Sequence, residues 1–191
     1  MTLLQAYKHA FRLFITPEQE WNLILAEENI SYKKLLYQLL IPLIFLMSAS
    51  NYIGLLLFEK NPSEHLQMFL YSAIATFIFS IVSIFLSSWL VKQFTVLPDN
   101  KERFNHAFIL IGFSYTPGIV FNSIAFLFPT INYLTIFGLY SFFILYKGIT
   151  PILNVPDHRK SGYFTFILIG LLSIYALLGA FFIGFANLMG F

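Results

Sequence analysis

"LFPTIN", residues 127–132, decides the fold. It interrupts a stretch from Phe104 to Tyr146 that contains no Asp, Glu, Lys or Arg. Pro129 followed by Thr130 and Asn132 is turn chemistry, and enough apolar chain flanks it to cross a bilayer once on each side. A hydrocarbon core of about 30 Å takes roughly 20 apolar residues as helix, because lipid offers no partner to an unpaired backbone group. Three further runs, Leu35–Phe58, Leu66–Val91 and Ser161–Phe191, also carry no formal charge. The expectation is an all-α polytopic helical membrane protein with five spans, at about 35–58, 66–92, 104–128, 131–150 and 162–188.

Composition agrees with that class. Hydrophobic residues make up 58% of the 191-residue chain and charged residues 10%, against about 45–50% and about 25% in a soluble domain. A net charge of +2 without a dense Lys/Arg run points to no nucleic-acid partner. The absence of cysteine excludes disulfides, thiolate metal sites and cysteine nucleophiles. Lys8, His9 and Arg12 break up the first turns, so no cleavable signal peptide is expected.

Orientation follows from the basic residues. Lys8, Arg12, Lys33 and Lys34 precede the first span; Lys92, Lys101 and Arg103 lie between the second and third; Lys147, Arg159 and Lys160 lie between the fourth and fifth. Lys60 alone falls on the opposite side. Cytoplasmic loops retain positive charge, which predicts a cytoplasmic N-terminus, an outside C-terminus and an odd number of spans.

Residues 1–34 read as a cytoplasmic arm of short amphipathic helices, and residues 35–191 as the five-span membrane domain. In the arm, Leu3, Leu4, Tyr7, Ala10, Phe11 and Phe14 share one helical face, with Gln5, Lys8, His9 and Arg12 on the other. Such a helix suits the headgroup boundary of an anionic leaflet. In the next segment Thr16 is the expected N-cap, Pro17 the first helical residue and Gln19 the partner in a capping box. Trp21, Ile24 and Leu25 could dock it, while Glu18, Glu20, Glu27 and Glu28 make it less lipid-seeking. Simple anchoring and partner binding both fit the arm, and anchoring fits the pattern better.

The spans offer little chemistry. None of their apolar cores contains Asp or Glu, and Lys147 lies at the end of its span, where a long side chain can snorkel. His106, beside Asn105 in the first turn of the third span, is the one remaining titratable candidate, although a histidine there usually marks the interface. His9, His65 and His158 sit in separate segments without metal-ligand spacing. No catalytic residue, metal or cofactor is expected.

Small polar residues are in register instead. Ser72, Thr76, Ser80, Ser83 and Ser87 share a face of the second span, and Ser173, Ala176, Ala180 and Gly184 a face of the fifth. Close helix packing is the favoured reading, with a polar groove for a headgroup or solute as the alternative. Asn51 and Asn122 are costly to leave unpaired in lipid, so they are expected to bond across helices or line a small wet cavity. Pro117, in "FSYTPGIV" (113–120), removes one backbone bond and crowds the Phe113 carbonyl, which predicts a kink. Ser114 and Thr116 could compensate, and Gly118 could admit a neighbouring helix. A shape-giving kink fits better than a transporter-like hinge, since no matching breaker stands in an obvious repeat.

Three stretches carry a family resemblance. "TPEQEWNLILAEE" (16–28) resembles the P-x-x-x-W segment that opens bacterial Yip-family (Ypt-interacting) membrane proteins. "FSYTPGIV" resembles their aromatic–Tyr–x–x–Pro element, and "GLYSFFILYKGITPILNVPDHRKSGYF" (138–164) resembles their most recognisable stretch. The resemblance runs from about Pro17 through the fifth span. It implies five spans with a cytoplasmic N-terminus and no catalytic residues, and it places Tyr115, Pro117, Tyr140, Tyr146, Gly148 and Pro156 at motif positions with structural or interaction roles. Eukaryotic members are associated with Rab-type GTPases and traffic between endoplasmic reticulum and Golgi. The short arm departs from that pattern. It implies a bacterial cytoplasmic-membrane protein without a Rab-type GTPase partner, and an endoplasmic reticulum or Golgi location only if the chain is eukaryotic.

Two functions fit these readings. The leading one is a non-enzymatic integral membrane protein acting by lateral protein–protein interaction or by membrane organisation, with membrane lipids, other membrane proteins or itself as a homo-oligomer as the expected partners. The alternative is a transporter or translocator of a small solute or lipid through a polar groove. The positions at stake are Asn51, Ser80, His106, Tyr115, Pro117, Asn122, Tyr140, Tyr146 and Gly148.

Overall fold

A computed structural model of the chain describes residues 2–27, 30–95, 97 and 99–188, with side chains described up to residue 184. Glu28 and residues 189–191 of the membrane domain lie outside the described residues. Among the described residues there are helices and no strands. Five helices are long and apolar enough to cross a membrane: Tyr32–Phe58, Leu66–Lys92, Asn100–Leu127, Pro129–Leu153 and Asp157–Gly184. They are called the first to fifth spans below, and the helices Leu3–Ile15 and Pro17–Ala26 the two arm helices.

The third span is the axis of the bundle. In its most apolar stretch 67% of residues are buried, against 11% in the fifth, which therefore stands at the periphery. Lipid rewards hydrophobic burial far less than water does, so association rests on close backbone approach and polar bonds between helices. Gly54 shows the first device. A Cβ there would stand 1.8 Å from the Phe126 carbonyl oxygen, so the first and third spans meet backbone to backbone. Asn51 shows the second: its amide donates to Thr76 Oγ1 at 2.8 Å and to Ser72 Oγ at 3.1 Å, tying the first span to the second as expected. Ser48 Oγ adds a bond to the Ala73 carbonyl at 2.6 Å.

Prolines shape three of the spans differently. Leu36–Leu40 forms a π-helical turn just before Pro42. Widening the helix there accommodates a residue that cannot donate and that crowds the preceding turn. The break at "LFPTIN" is real: Asn100–Leu127 ends at Phe128, which has φ −127°, and a 3₁₀ helix begins at Pro129. That 3₁₀ stretch, Pro129–Leu139, is kinked at Ile131, whose φ of −109° and ψ of 27° are not helical, and only at Tyr140 does the fourth span become α-helical, to Leu153. Asn154 then closes it with φ 57°, a left-handed conformation that asparagine tolerates better than most residues.

Pro117 gives a different result from a simple break. Asn100–Leu127 is one continuous helix with Pro117 inside it. Thr116 Oγ1 bonds back to the Gly112 carbonyl at 3.4 Å, whereas the buried Ser114 hydroxyl has no partner among the described residues. Gly118 does admit a neighbour, since the 3₁₀ helix reaches it at Gly138 and its N–H donates to Ser141 Oγ at 3.1 Å.

Two local expectations are corrected. Thr16 precedes the second arm helix but makes no capping bond, because its hydroxyl turns back to the Arg12 carbonyl at 3.5 Å. The capping box belongs to the first arm helix instead, between Thr2 and Gln5. The small-residue face of the fifth span does not pack on the bundle. Ser173, Ala176, Ala180 and Gly184 are all exposed, and Ser173 Oγ bonds to its own helix at Ile169. This span docks with its first half, through the buried Ile167 and Leu171 and through Gly170 against Leu90.

Candidate functional site

The bundle is plugged at one end and hollow at the other. The plug is the arm. Trp21 is completely buried, its indole lies edge-on to Phe113 at 6.1 Å, and its Nε1–H donates to the Ile144 carbonyl at 3.1 Å. Gly148 makes that position possible, because a Cβ there would fall 2.7 Å from the indole and 2.4 Å from Leu110. Tyr140 stacks on Phe14 and donates from its hydroxyl to the Phe14 carbonyl at 3.0 Å.

A polar cluster joins the two arm helices. His9 Nδ1 lies 2.5 Å from Glu20 Oε1, and its Nε2 lies 3.1 Å from Glu27 Oε1. Carboxylates only accept, so the arrangement suits an imidazolium whose two N–H groups both donate. Arg12 stands 3.9 Å from the other Glu20 oxygen. His9 and Glu20 are both buried, so His9, on the polar face of its helix, turns into the protein instead of away from it. The bundle-facing side of the first arm helix is Ala6, His9, Ala10 and Leu13, leaving Leu3, Leu4, Phe11 and Ile15 exposed. Farther out, Lys147 pairs with Glu18 and holds that carboxyl below the usual carboxylate range.

The hollow end is a cavity of about 560 Å³ bordered by all five spans. Its walls are mostly aliphatic and aromatic, with hydroxyls and amides at intervals. Ser80 and Asn122, singled out from sequence, both line it, as does Tyr115. Tyr115 Oη is 2.8 Å from Ser87 Oγ, and its ring lies 6.1 Å from that of Tyr175 on the fifth span. Ser80 Oγ is spent on its own helix, donating to the Thr76 carbonyl at 2.7 Å. Ser83, also in the wall, is 1% exposed, and its hydroxyl has no partner among the described residues. Among the described residues, no Asp, Glu, Lys, Arg or His lines the cavity. It adjoins the undocked half of the fifth span, where Gly179 borders it and a Cβ at that position would meet nothing within 4 Å.

The other positions lie elsewhere. Asn51 stands one layer behind the wall, bonded to Thr76, which itself borders the cavity. Pro117 is buried between the plug and the hollow. Tyr140 and Gly148 belong to the plug. Tyr146 packs edge-on against Phe164 at 5.2 Å, beneath the Lys160 ammonium at 4.5 Å. His106 stands apart from all of these, its Nδ1 2.9 Å from the Glu102 carbonyl in the first turn of the third span. Sequence reasoning missed Ser83 as an unpaired group, His9 with Glu20 as a buried pair, and Gly54 as a backbone contact. The register of the second-span hydroxyls was the one available signal for Ser83.

The family model for the Yip1 domain matches residues 11–190 of this chain. Neither a curated protein nor a solved structure matches it.

Proposed function

The chain belongs to the Yip1 domain family, and from that premise we propose a non-enzymatic membrane protein that works by lateral contact within the bilayer. Its contacts are with lipids and with neighbouring membrane proteins, and the cavity beside the fifth span receives a neighbour's apolar chain. The observation that carries this reading is the cavity's lining. Among the described residues it offers hydroxyls, amides and apolar side chains but no carboxylate, amine or imidazole. Such a wall has no acid or base suited to proton transfer near neutral pH. A space of about 560 Å³ is within the range of ordinary ligand pockets, and an uncharged hydrocarbon chain suits it.

A photo-crosslinking amino acid at Gly179, irradiated in native membranes, tests the reading. The same group at Leu177, 71% exposed on the fifth span, reports ordinary lipid contact. Adducts from position 179 with a restricted set of lipids or membrane proteins, absent from position 177, support it. Identical adduct profiles at the two positions contradict it.

Translocation of a small solute or lipid is the second reading. Asn122 and the unpaired Ser83 hydroxyl favour it, since both place polar atoms in a wall surrounded by hydrocarbon. Vesicles containing the purified protein that move no labelled lipid or solute would remove it. The lysine and arginine asymmetry supports a cytoplasmic N-terminus, and the resemblance to bacterial members of the family supports a bacterial cytoplasmic membrane. Phe14, Glu20 and Trp21 are engaged within the chain, so a GTPase would not find those three side chains free.

A further inference from the structure

We propose that the lysine-rich end of the bundle holds the phosphate of an anionic membrane lipid between Lys33, Lys92 and Lys101. This site is separate from the hollow and does not depend on the function proposed for it. The start of the first span, the end of the second and the start of the third converge there, each contributing one lysine. Together with Tyr32, Asn100 and Phe104 they line a cleft of about 510 Å³.

Three ammonium groups around one cleft repel one another, and no carboxylate among the described residues lines it. None of the three lysines forms an ion pair among the described residues. Asp99 and Glu102 flank Lys101 in sequence, and neither borders the cleft. Asp99 Oδ1 is committed to the Lys101 backbone N–H at 3.2 Å, as the N-cap of the third span. An anion in the cleft would relieve the repulsion, and the positive end of a 28-residue helix opens beside it at Asn100.

The cleft is also held in shape. Asn105 clips the chain before the first span, accepting from the Tyr32 N–H at 2.6 Å and donating to the Ile30 carbonyl at 3.2 Å. Tyr32 then packs edge-on to Phe104 at 5.4 Å and Phe108 at 5.7 Å. This fixes Lys33 against the third span despite the like charge of Lys101. The source of the phosphate follows from position. The lysines mark the ends of three apolar spans, and Tyr32 and Phe104 give the cleft an aromatic wall, which suits a phosphate carrying acyl chains better than a free ion.

Native mass spectrometry of the full-length protein in non-ionic detergent tests the site, with phosphatidylglycerol, phosphatidylcholine and inorganic phosphate as probes. Phosphatidylglycerol should be retained over phosphatidylcholine, and inorganic phosphate should not displace it. Each Lys→Gln change at 33, 92 or 101 should weaken retention about fivefold, while K33R/K92R/K101R should keep it. A control carrying K8Q, K60Q and K160Q should bind as the parent does. Equal loss in both Gln series, no preference for the anionic lipid, or displacement by inorganic phosphate would overturn the proposal. If the Gln variant at 33 or 101 fails to fold, K92Q decides on the same fivefold criterion.

Discussion

Trp21 and Ile144 are 123 residues apart in the chain, yet the indole N–H of one donates to the backbone carbonyl of the other at 3.1 Å inside the bundle. A helix that looks peripheral in sequence is thus part of the membrane domain's packing. The bond satisfies the only polar atom of a side chain that is otherwise completely buried.

Trp21→Ala should therefore destabilise the whole protein and not merely release the arm. Losing a buried tryptophan costs about 3–5 kcal/mol. Thermal unfolding in detergent should shift down accordingly, and limited proteolysis should cut between the arm and the first span sooner than in the parent. Gly148→Leu, which invades the same space, should have a similar effect.

Gly54→Ala and Gly179→Ala should behave in opposite ways. At Gly54 the new methyl would meet the Phe126 carbonyl at 1.8 Å, backbone against backbone, and neither helix can yield without moving others. A loss of about 1–3 kcal/mol is expected. At Gly179 nothing lies within 4 Å, so alanine should be neutral or slightly stabilising through its helix propensity. Unfolding midpoints of the two variants check this.

The His9 cluster should be costly to break from one side. Removing the imidazole leaves Glu20, 1% exposed, with only Arg12 at 3.9 Å. His9→Ala should lower stability by about 3–5 kcal/mol, as expected when one partner of a buried charged pair is lost. The double change His9→Leu with Glu20→Leu should recover much of that, because the charges left without those partners, Arg12 and Glu27, are part-exposed to solvent. Chemical unfolding in detergent compares the two variants.

Glu18 sets a pH-dependent contact between the arm and the fourth span. Lys147 lowers its pKa in the folded state, through a direct hydrogen bond and its charge. A carboxyl with a lowered folded pKa adds stability that is present above its unfolded value and is lost as pH falls through the folded one. Any advantage of the parent over Glu18→Gln should thus be seen near neutral pH and vanish on the acid side. The pair is exposed, so the advantage should also shrink with salt.

How much of this was legible in the sequence depends on which solvent each residue meets. The five spans and the family were readable, because charge-free length and turn residues respond to the bilayer itself. The Asn51 bond was readable for the same reason, since an amide in hydrocarbon must find a partner. Facing was not. Leu171, buried, and Leu172, exposed, are the same residue type, and lipid and protein interior reward leucine alike. The fifth-span face of Ser173, Ala176, Ala180 and Gly184 looked like a packing surface for that reason. The arm misled in the other direction. His9 read only as part of a polar face and Glu20 only as making its helix less lipid-seeking, because pairing between helices is invisible in a helical wheel drawn for one of them.

The central claim, that an uncharged hollow beside the fifth span admits an apolar chain, can be tested by quenching with bromine-labelled acyl chains. The protein supplies its own references: Trp21 is completely buried and Trp89 is 60% exposed. With Trp89→Phe in place, Asn122→Trp puts a fluorophore in the cavity wall while Trp21 remains as the shielded reference. Quenching of the residue at 122 close to that of Trp89, with Trp21 unaffected, is the predicted result. Protection at 122 equal to that of Trp21 would contradict the account.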